Sequence, residues 1–298
     1  NLMGQNCLRH IVENTQPDEI KRKISNTPSW LLVAAIFTIR MGCFANKWYA
    51  QYVRALSERP RYLRAQMKKI DCIFHPTKIM ERILKRNNIK PKMIKRLPFG
   101  INTNYIQRSV RDNKSNPIRV GYIGGLAEHK GIHILIKALN ILKNESIETK
   151  IYGRLEDFPY YVDQLHELTG DDKRVEFLGS FPNEEIGTVL NGIDVLVVPS
   201  IWYENTPLVI YSAQAAGCPI IASDVGGISE VVKDSVNGLL FPVGDPQALA
   251  LALKTLSHDR DLLKQMSECA IEPLSAEGYA SALLKTYTDL VSYKRELK

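Results

Sequence analysis

Pro199-Ser-Ile-Trp-Tyr-Glu-Asn-Thr-Pro-Leu-Val-Ile-Tyr-Ser-Ala-Gln-Ala-Ala-Gly-Cys-Pro219 reads as the end of a strand, a loop and a helix. The run before it, Val195-Leu-Val-Val198, is short and β-branched, the composition of a strand buried on both faces of a parallel sheet. Thr206 is placed to cap, and Pro207 to open, a helix from Leu208 to Ala216, which Gly217 then stops. A helix that starts at the carboxyl end of a buried strand aims unpaired backbone N–H groups above the sheet, where an anion such as phosphate is favoured. Glu204 stands two residues before the expected cap, beside such an anion rather than on it. Hydroxyl groups attached to a phosphate are its natural partners, as in a nucleotide sugar. Taken alone, Glu204 reads as a solvated loop acid near a helix start.

The 298 residues allow two domains, and 45% hydrophobic residues suffice for real cores, as in a soluble globular protein. No window reaches the roughly 18 uninterrupted apolar residues of a membrane span. The best, Trp30 to Phe37, is short and is followed by Arg40. The sequence begins at Asn1 without a recognisable signal peptide, so it reads as the tail of something longer. Five scattered cysteines (Cys7, Cys43, Cys72, Cys218, Cys269) show no paired metal-ligand spacing and read as reduced thiols of a cytoplasmic protein.

The net charge of +7 hides a split. Residues 1–118 carry 23 Lys or Arg against 7 Asp or Glu, a net +16, while residues 119–298 carry 16 against 25, a net −9. The basic part, with Trp30, Phe37, Phe44, Trp48 and Tyr49, suits peripheral contact with anionic lipid headgroups, and by general electrostatics also nucleic acid. Solvated helix faces that complement the acidic part are the alternative.

Residues 1–58 offer helix-like segments without an assignable compact fold. A helix is expected from Pro60 to Met67, a buried strand over Asp71–His75, a helix over Lys78–Arg86 capped by Thr77, and a strand over Lys92–Leu97. One such unit cannot cover both faces of a sheet, so the earlier strands of this domain are expected outside this sequence. Pro98 to Pro117, with Asn102, Asn104, Asn113, Ser115 and Asn116, reads as a polar linker.

Strands then alternate with helices. Strands are expected at 118–123, 149–152, 175–178, 194–198, 219–222 and 238–241, and helices at 131–142, 160–168, 183–190, 229–232 and 245–256. That alternation implies a parallel doubly wound sheet with its ligand outside the carboxyl ends of the strands. The first of these strands ends in Tyr122-Ile-Gly-Gly-Leu-Ala-Glu-His-Lys-Gly131, where Gly124 and Gly125 let backbone approach a ligand and Lys130 supplies a cation for phosphate. Neither the dinucleotide fingerprint nor the Walker loop is present, and a plain tight turn with a solvated lysine and a surface His129 explains the stretch by itself. Ala222-Ser-Asp-Val-Gly-Gly-Ile-Ser-Glu230 again puts paired glycines, Gly226 and Gly227, at a strand's carboxyl end. Three such turns are expected to meet at one sheet edge.

These residues resemble the retaining glycosyltransferases of family 4, the group 1 glycosyl transferases. The likeness runs from about residue 60 to 295 through Leu97-Pro-Phe-Gly-Ile-Asn102, Tyr122-Ile-Gly-Gly-Leu126 with Lys130-Gly131, Val175-Glu-Phe-Leu-Gly179, Asp194-Val-Leu-Val-Val-Pro-Ser200, Glu204-Asn-Thr-Pro-Leu208, Ala215 to Gly227, and Asn237-Gly-Leu-Leu-Phe241. The resemblance implies an α/β fold of GT-B type, with a complete Rossmann-like C-terminal domain and an incomplete N-terminal one. It divides the chain into an acceptor-side part (1–104), a donor-binding domain (105–278) and a C-terminal helix returning to the first part (279–298).

By this resemblance Lys130 and Glu204 carry the catalytic roles, Lys130 on the donor diphosphate and Glu204 on hydroxyls of the donor sugar. Gly124, Gly125, Asn205, Thr206, Pro207, Leu208 and Val209 would also hold the donor, and Gly153 with the loop after it and the stretch Gly179-Ser-Phe181 would border its base. No cofactor or metal is implied, because protein cations and helix dipoles offset the phosphate charge and no carboxylate pair is placed for Mg²⁺. Two positions depart from the family. Gly125 stands where an Arg is usual, and Ser212 stands where the second Glu of the family's Glu, seven residues, Glu pattern would hold the ribose. Replacing a charge-assisted bidentate contact by one hydroxyl loses on the order of 1 to 3 kcal/mol.

The sequence therefore reads as a glycosyltransferase of polysaccharide or cell-envelope biosynthesis, with a nucleotide sugar as donor and a glycan or lipid-linked acceptor, cytoplasmic and peripheral at the inner face of the plasma membrane. A non-catalytic nucleotide-sugar-binding module descended from such an enzyme is the alternative. Nucleic acid is set aside as a partner, because no recognition module is visible.

Overall fold

The computed structural model describes residues 26–41, 48–111 and 116–296. Cys7, Cys43, Phe44, Asn113 and Ser115, singled out in the sequence, lie outside them. Two compact units divide the described residues, one comprising those up to Ile73 with Leu84–Met93, the other Phe74–Ile83 with those from Ile94 onward.

The first unit holds α1 (Ser29–Arg40) and α2 (Trp48–Met67), which pack on each other. Helix α2 runs through Pro60 rather than starting there. A proline costs one N–H and crowds the carbonyl four residues back, yet a helix with turns established on both sides continues past it. Strands β1 (Cys72–His75) and β2 (Met93–Arg96) form a two-stranded sheet, with α3 (Lys78–Arg86) between them in sequence. Thr77 Oγ1 accepts from Met80 N at 3.3 Å, as its capping position predicts. Strand β1 is half-buried rather than buried, with only His75 fully covered.

The second unit contains β3 (Ile118–Ile123), α4 (Ile132–Ile141), β4 (Ile147–Tyr152), α5 (Pro159–Thr169), β5 (Val175–Gly179) and α6 (Ile186–Asn191). They are followed by β6 (Val195–Val198), α7 (Leu208–Ala215), β7 (Ile220–Ser223), α8 (Ile228–Val231), β8 (Gly238–Phe241), α9 (Pro246–His258), α10 (Arg260–Glu268) and α11 (Ala276–Glu296). Six parallel strands lie in the order β5-β4-β3-β6-β7-β8. Every residue of β6 and β7 is buried, because side chains of alternate residues enter different cores. Val195, Val197 and Ile221 join one core with α4, α5, α9 and α10. Leu196, Val198, Ile220 and Ala222 join the other with α6, α7 and α8. The mixed α/β fold with a parallel sheet expected from the sequence is therefore present.

Three further stretches differ from the sequence reading. Helix α10 was not anticipated, although Asp259 caps it by accepting from Leu262 N at 2.8 Å and Leu263 and Met266 bury at helical spacing. The C-terminal helix begins at Ala276, three residues before the expected 279. The polar stretch 98–111, though exposed over much of its length, is anchored at its end. Arg111, only 4% exposed, donates to the carbonyls of Leu190, Ile193 and Ala216 at 2.7, 3.1 and 3.2 Å. Burying a guanidinium is tolerable because its donors meet carbonyls at and just beyond the ends of α6 and α7.

Glu230 of α8 ties distant pieces of this unit together. Its carboxylate accepts from Lys78 N at 2.7 Å and Ile79 N at 2.8 Å, the orphan amides at the start of α3, and pairs with Arg96 at 3.2 Å. Glu230→Ala is expected to lower unfolding free energy by about 1 to 3 kcal/mol, with Glu230→Gln losing less because one acceptor oxygen remains. Urea unfolding monitored by circular dichroism checks it, and an unchanged midpoint for the alanine variant contradicts the role.

Candidate functional site

Strands β3 and β6 are neighbours, but α4 lies on one face of the sheet and α7 on the other. The loops leaving the two carboxyl ends therefore part, and a crevice opens between them. A cavity of about 610 Å³ occupies it, the size of a small-molecule site.

The two loops are locked in place. Ser200 Oγ and Ile201 N both donate to the carbonyl of His129, at 3.2 and 3.0 Å. Gly131 adopts φ +75°, and a Cβ there would lie 1.9 Å from Pro199 O. Only glycine supplies that left-handed turn and that approach. Lys130 sits between these two pinned residues, and its Nζ meets Glu204 Oε1 at 2.5 Å across the crevice. Ser200 Oγ adds a 3.3 Å contact to the same oxygen. Beneath them the Tyr122 hydroxyl donates to Gly125 O at 2.8 Å. Burial pushes this phenol well above its ordinary range, so it stays a proton donor.

The third turn lies behind the Glu204 loop and does not line the cavity. Gly227 N donates to Glu204 O at 2.8 Å. A Cβ on Gly226 would lie 2.4 Å from Glu204 O, and one on Gly227 1.3 Å from Asn205 O. The paired glycines support the loop from below rather than touching a ligand from above.

Gly124, Gly125, Lys130 and Gly153 line the cavity on the β3 and β4 side, with Phe181 beyond them. Glu204, Pro207, Leu208, Val209 and Ser212 line the opposite side. Asn205, Thr206 and Gly179 do not line it. Thr206 is not the helix cap. Its Oγ1 donates instead to Asn205 O at 2.6 Å, with Gly227 O at 3.3 Å, and Pro207 takes the cap position with no side-chain bond. A buried hydroxyl takes the carbonyls packed around it, and the cap site is left to water or ligand. Leu208 and Val209, the first helical residues, are at the wall.

Sequence reasoning named the loop after Gly153 as a border of the site without singling out Arg154 or Asp157, and it passed over Tyr152; all three also line the cavity. Tyr152 meets Phe181 edge to face, ring centroids 5.3 Å apart, forming an aromatic end wall. Their signal was position: each follows or ends β4 at the same sheet edge. Among the described residues no cluster of His, Cys, Asp or Glu is placed to hold a metal ion.

The profile of the glycosyl transferases of group 1 matches residues 105–272, more than half of the chain. The chain belongs to this family. Among curated relatives, this group 1 glycosyl transferase is 34% identical over 172 residues to the amylovoran biosynthesis glycosyltransferase AmsK of Erwinia amylovora, covering 54% of this chain and 41% of that one. It is 32% identical over 188 residues to a D-inositol 3-phosphate glycosyltransferase of Corynebacterium urealyticum, covering 59% and 44%. The chain thus matches less than half the length of these relatives. Anabaena HepE, solved with UDP and glucose, shares the fold, with a TM-score of 0.67, 19% identity and coverage of 96% of this chain and 95% of that one.

Gly227→Ala is expected to destabilise the protein by about 1 to 3 kcal/mol, because the methyl collides with a backbone carbonyl that cannot yield without moving the Glu204 loop. Gly125→Ala, whose Cβ meets nothing within 4 Å, should leave stability within about 0.5 kcal/mol. Thermal unfolding of the pair decides it, since equal midpoints remove the supporting role of Gly227.

Proposed function

We propose that this chain carries the donor site of a retaining glycosyltransferase that moves a sugar from a nucleoside-diphosphate sugar to a glycan or lipid-linked acceptor. The observation that carries the reading is Lys130 facing Glu204 and the start of α7 across one cavity. The Leu208 and Val209 amides, with the helix dipole behind them, suit the diphosphate from one side and Lys130 from the other. Glu204, an acceptor-only carboxylate, suits sugar hydroxyls. The Tyr152 and Phe181 wall gives a flat base its apolar contact, and Ser212 faces the ribose.

With the leaving diphosphate held by cations and amides, charge that develops as the sugar–oxygen bond breaks is met by groups already in place. The acceptor hydroxyl attacks on the face the nucleotide leaves. Its proton passes to a donor phosphate oxygen, and the product keeps the donor's anomeric configuration. No metal or other cofactor is needed for that step. Support for the donor class comes from HepE, solved with UDP and glucose. Support for a polysaccharide acceptor comes from AmsK, named for amylovoran biosynthesis.

In this reading residues 1–104 are the acceptor-side part and 105–278 the donor domain. Residues 279–298 are the returning helix, supported by the contacts of Thr286 with Lys95 at 2.7 Å and Tyr287 with Phe74. Peripheral membrane contact through the basic first part is supported by its net +16 and by the exposed Trp30 and Phe37 of α1. No described helix is long and apolar enough to cross a membrane.

Calorimetry with UDP, GDP and ADP and their sugar conjugates tests the donor assignment. Lys130→Ala should weaken nucleotide and nucleotide sugar alike by about tenfold or more. Glu204→Ala should weaken the sugar conjugate relative to the bare nucleotide, since it removes the hydroxyl acceptor and frees Lys130. Absence of binding to the wild type contradicts the reading. Retention is checked by the anomeric proton of the product, and an inverted product contradicts it.

A further inference from the structure

The cavity wall contains two cations and two carboxylates, and they are already paired. Lys130 is bound to Glu204 at 2.5 Å, and Arg154 faces Asp157 at 3.7 Å. A nucleoside-diphosphate sugar brings two negative charges into this balanced wall, so a tight site must release a cation from its partner. The pairs differ in how readily they open. Lys130 and Glu204 are 31% and 16% exposed, whereas Arg154 and Asp157 are 67% and 44% exposed. A long ion pair between solvent-exposed groups contributes little, so Arg154 leaves Asp157 at small cost.

Its position directs where it goes. Gly153, the residue before it, is fixed by donating to Gly179 O at 2.9 Å and by lying so close to Gly124 that a Cβ would come within 2.2 Å of Gly124 O. Arg154 therefore leaves the backbone beside the Gly124–Gly125 turn, where Gly125 contributes no side chain and the space above its Cβ position is open. Resting on the nucleoside-diphosphate reading above, we infer that Arg154 is the second cation of the diphosphate site, swinging from Asp157 into the space over Gly125 to take phosphate oxygens with its guanidinium fork. The planar fork suits two oxygens at once, which an ammonium does not.

The test is calorimetry on the whole chain with UDP, GDP and ADP and with the matching nucleosides. Arg154→Ala should lose about tenfold or more in affinity for the diphosphate that the wild type prefers, with nucleoside affinity unchanged. Arg154→Lys should recover only part of the loss. Adding Gly125→Arg to Arg154→Ala should also recover affinity, because an ordinary side chain fits there and reaches the same space. Undiminished diphosphate binding by Arg154→Ala overturns the inference, as does an equal loss of diphosphate and nucleoside, which would put Arg154 on the base or ribose. In both of those outcomes the donor reading stands. A wild type that binds no nucleoside diphosphate overturns that reading and this inference together.

Discussion

Strands β3 and β6 run side by side and parallel, yet the chain leaves them toward opposite faces of the sheet. Two loops that must diverge leave a gap that neither can fill, and the gap becomes a cavity only if both loops are stiff. Here stiffness comes from backbone rather than from side-chain packing. The His129 carbonyl receives two donors from the β6 loop, Gly131 lets Pro199 O pass, and Gly227 holds the far side of the Glu204 loop. Each contact joins segments about 20 to 70 residues apart in sequence, and together they set the distance across which Lys130 reaches Glu204.

That ion pair links the electrostatics to the chemistry. Before a ligand arrives, a half-buried lysine and carboxylate satisfy each other, so neither stands unpaired in a poorly solvated crevice. In the proposed reading an entering donor supplies replacements for both at once, phosphate for the lysine and hydroxyl for the carboxylate. The exchange favours a molecule that carries both groups at the right separation over one that carries only one. Selectivity of that kind rests on the spacing of the two polar groups rather than on apolar contact alone.

Much of this architecture was legible in the sequence because the residues that decide it act locally. Val195–Val198 is apolar at every position since both faces of the strand are buried, and Lys130 and Glu204 stand at strand ends, where a parallel sheet places ligands. What escaped depends on distant neighbours. Thr206 has the composition of a cap, but its hydroxyl lies against Asn205 O and Gly227 O, and the latter is 21 residues away. Gly226 and Gly227 were readable as a turn, while their role under the Glu204 loop follows only from the approach to Asn205 O. Arg111 sits in a polar run that looks like linker, and its partners Leu190, Ile193 and Ala216 are 79 to 105 residues on. The loop after Gly153 was readable as part of the site, but nothing in the local sequence singles out Arg154 from a solvated arginine.

The most direct test of the central claim, that loops from β3 and β6 and the start of α7 together hold a sugar joined to a diphosphate, is a crystal structure with the preferred nucleotide sugar bound. The expected result is a diphosphate lying between the Leu208 and Val209 amides and Lys130, with Glu204 released from the lysine and bonded to sugar hydroxyls. A nucleotide seated elsewhere, with the 2.5 Å contact between Lys130 and Glu204 intact, would contradict it.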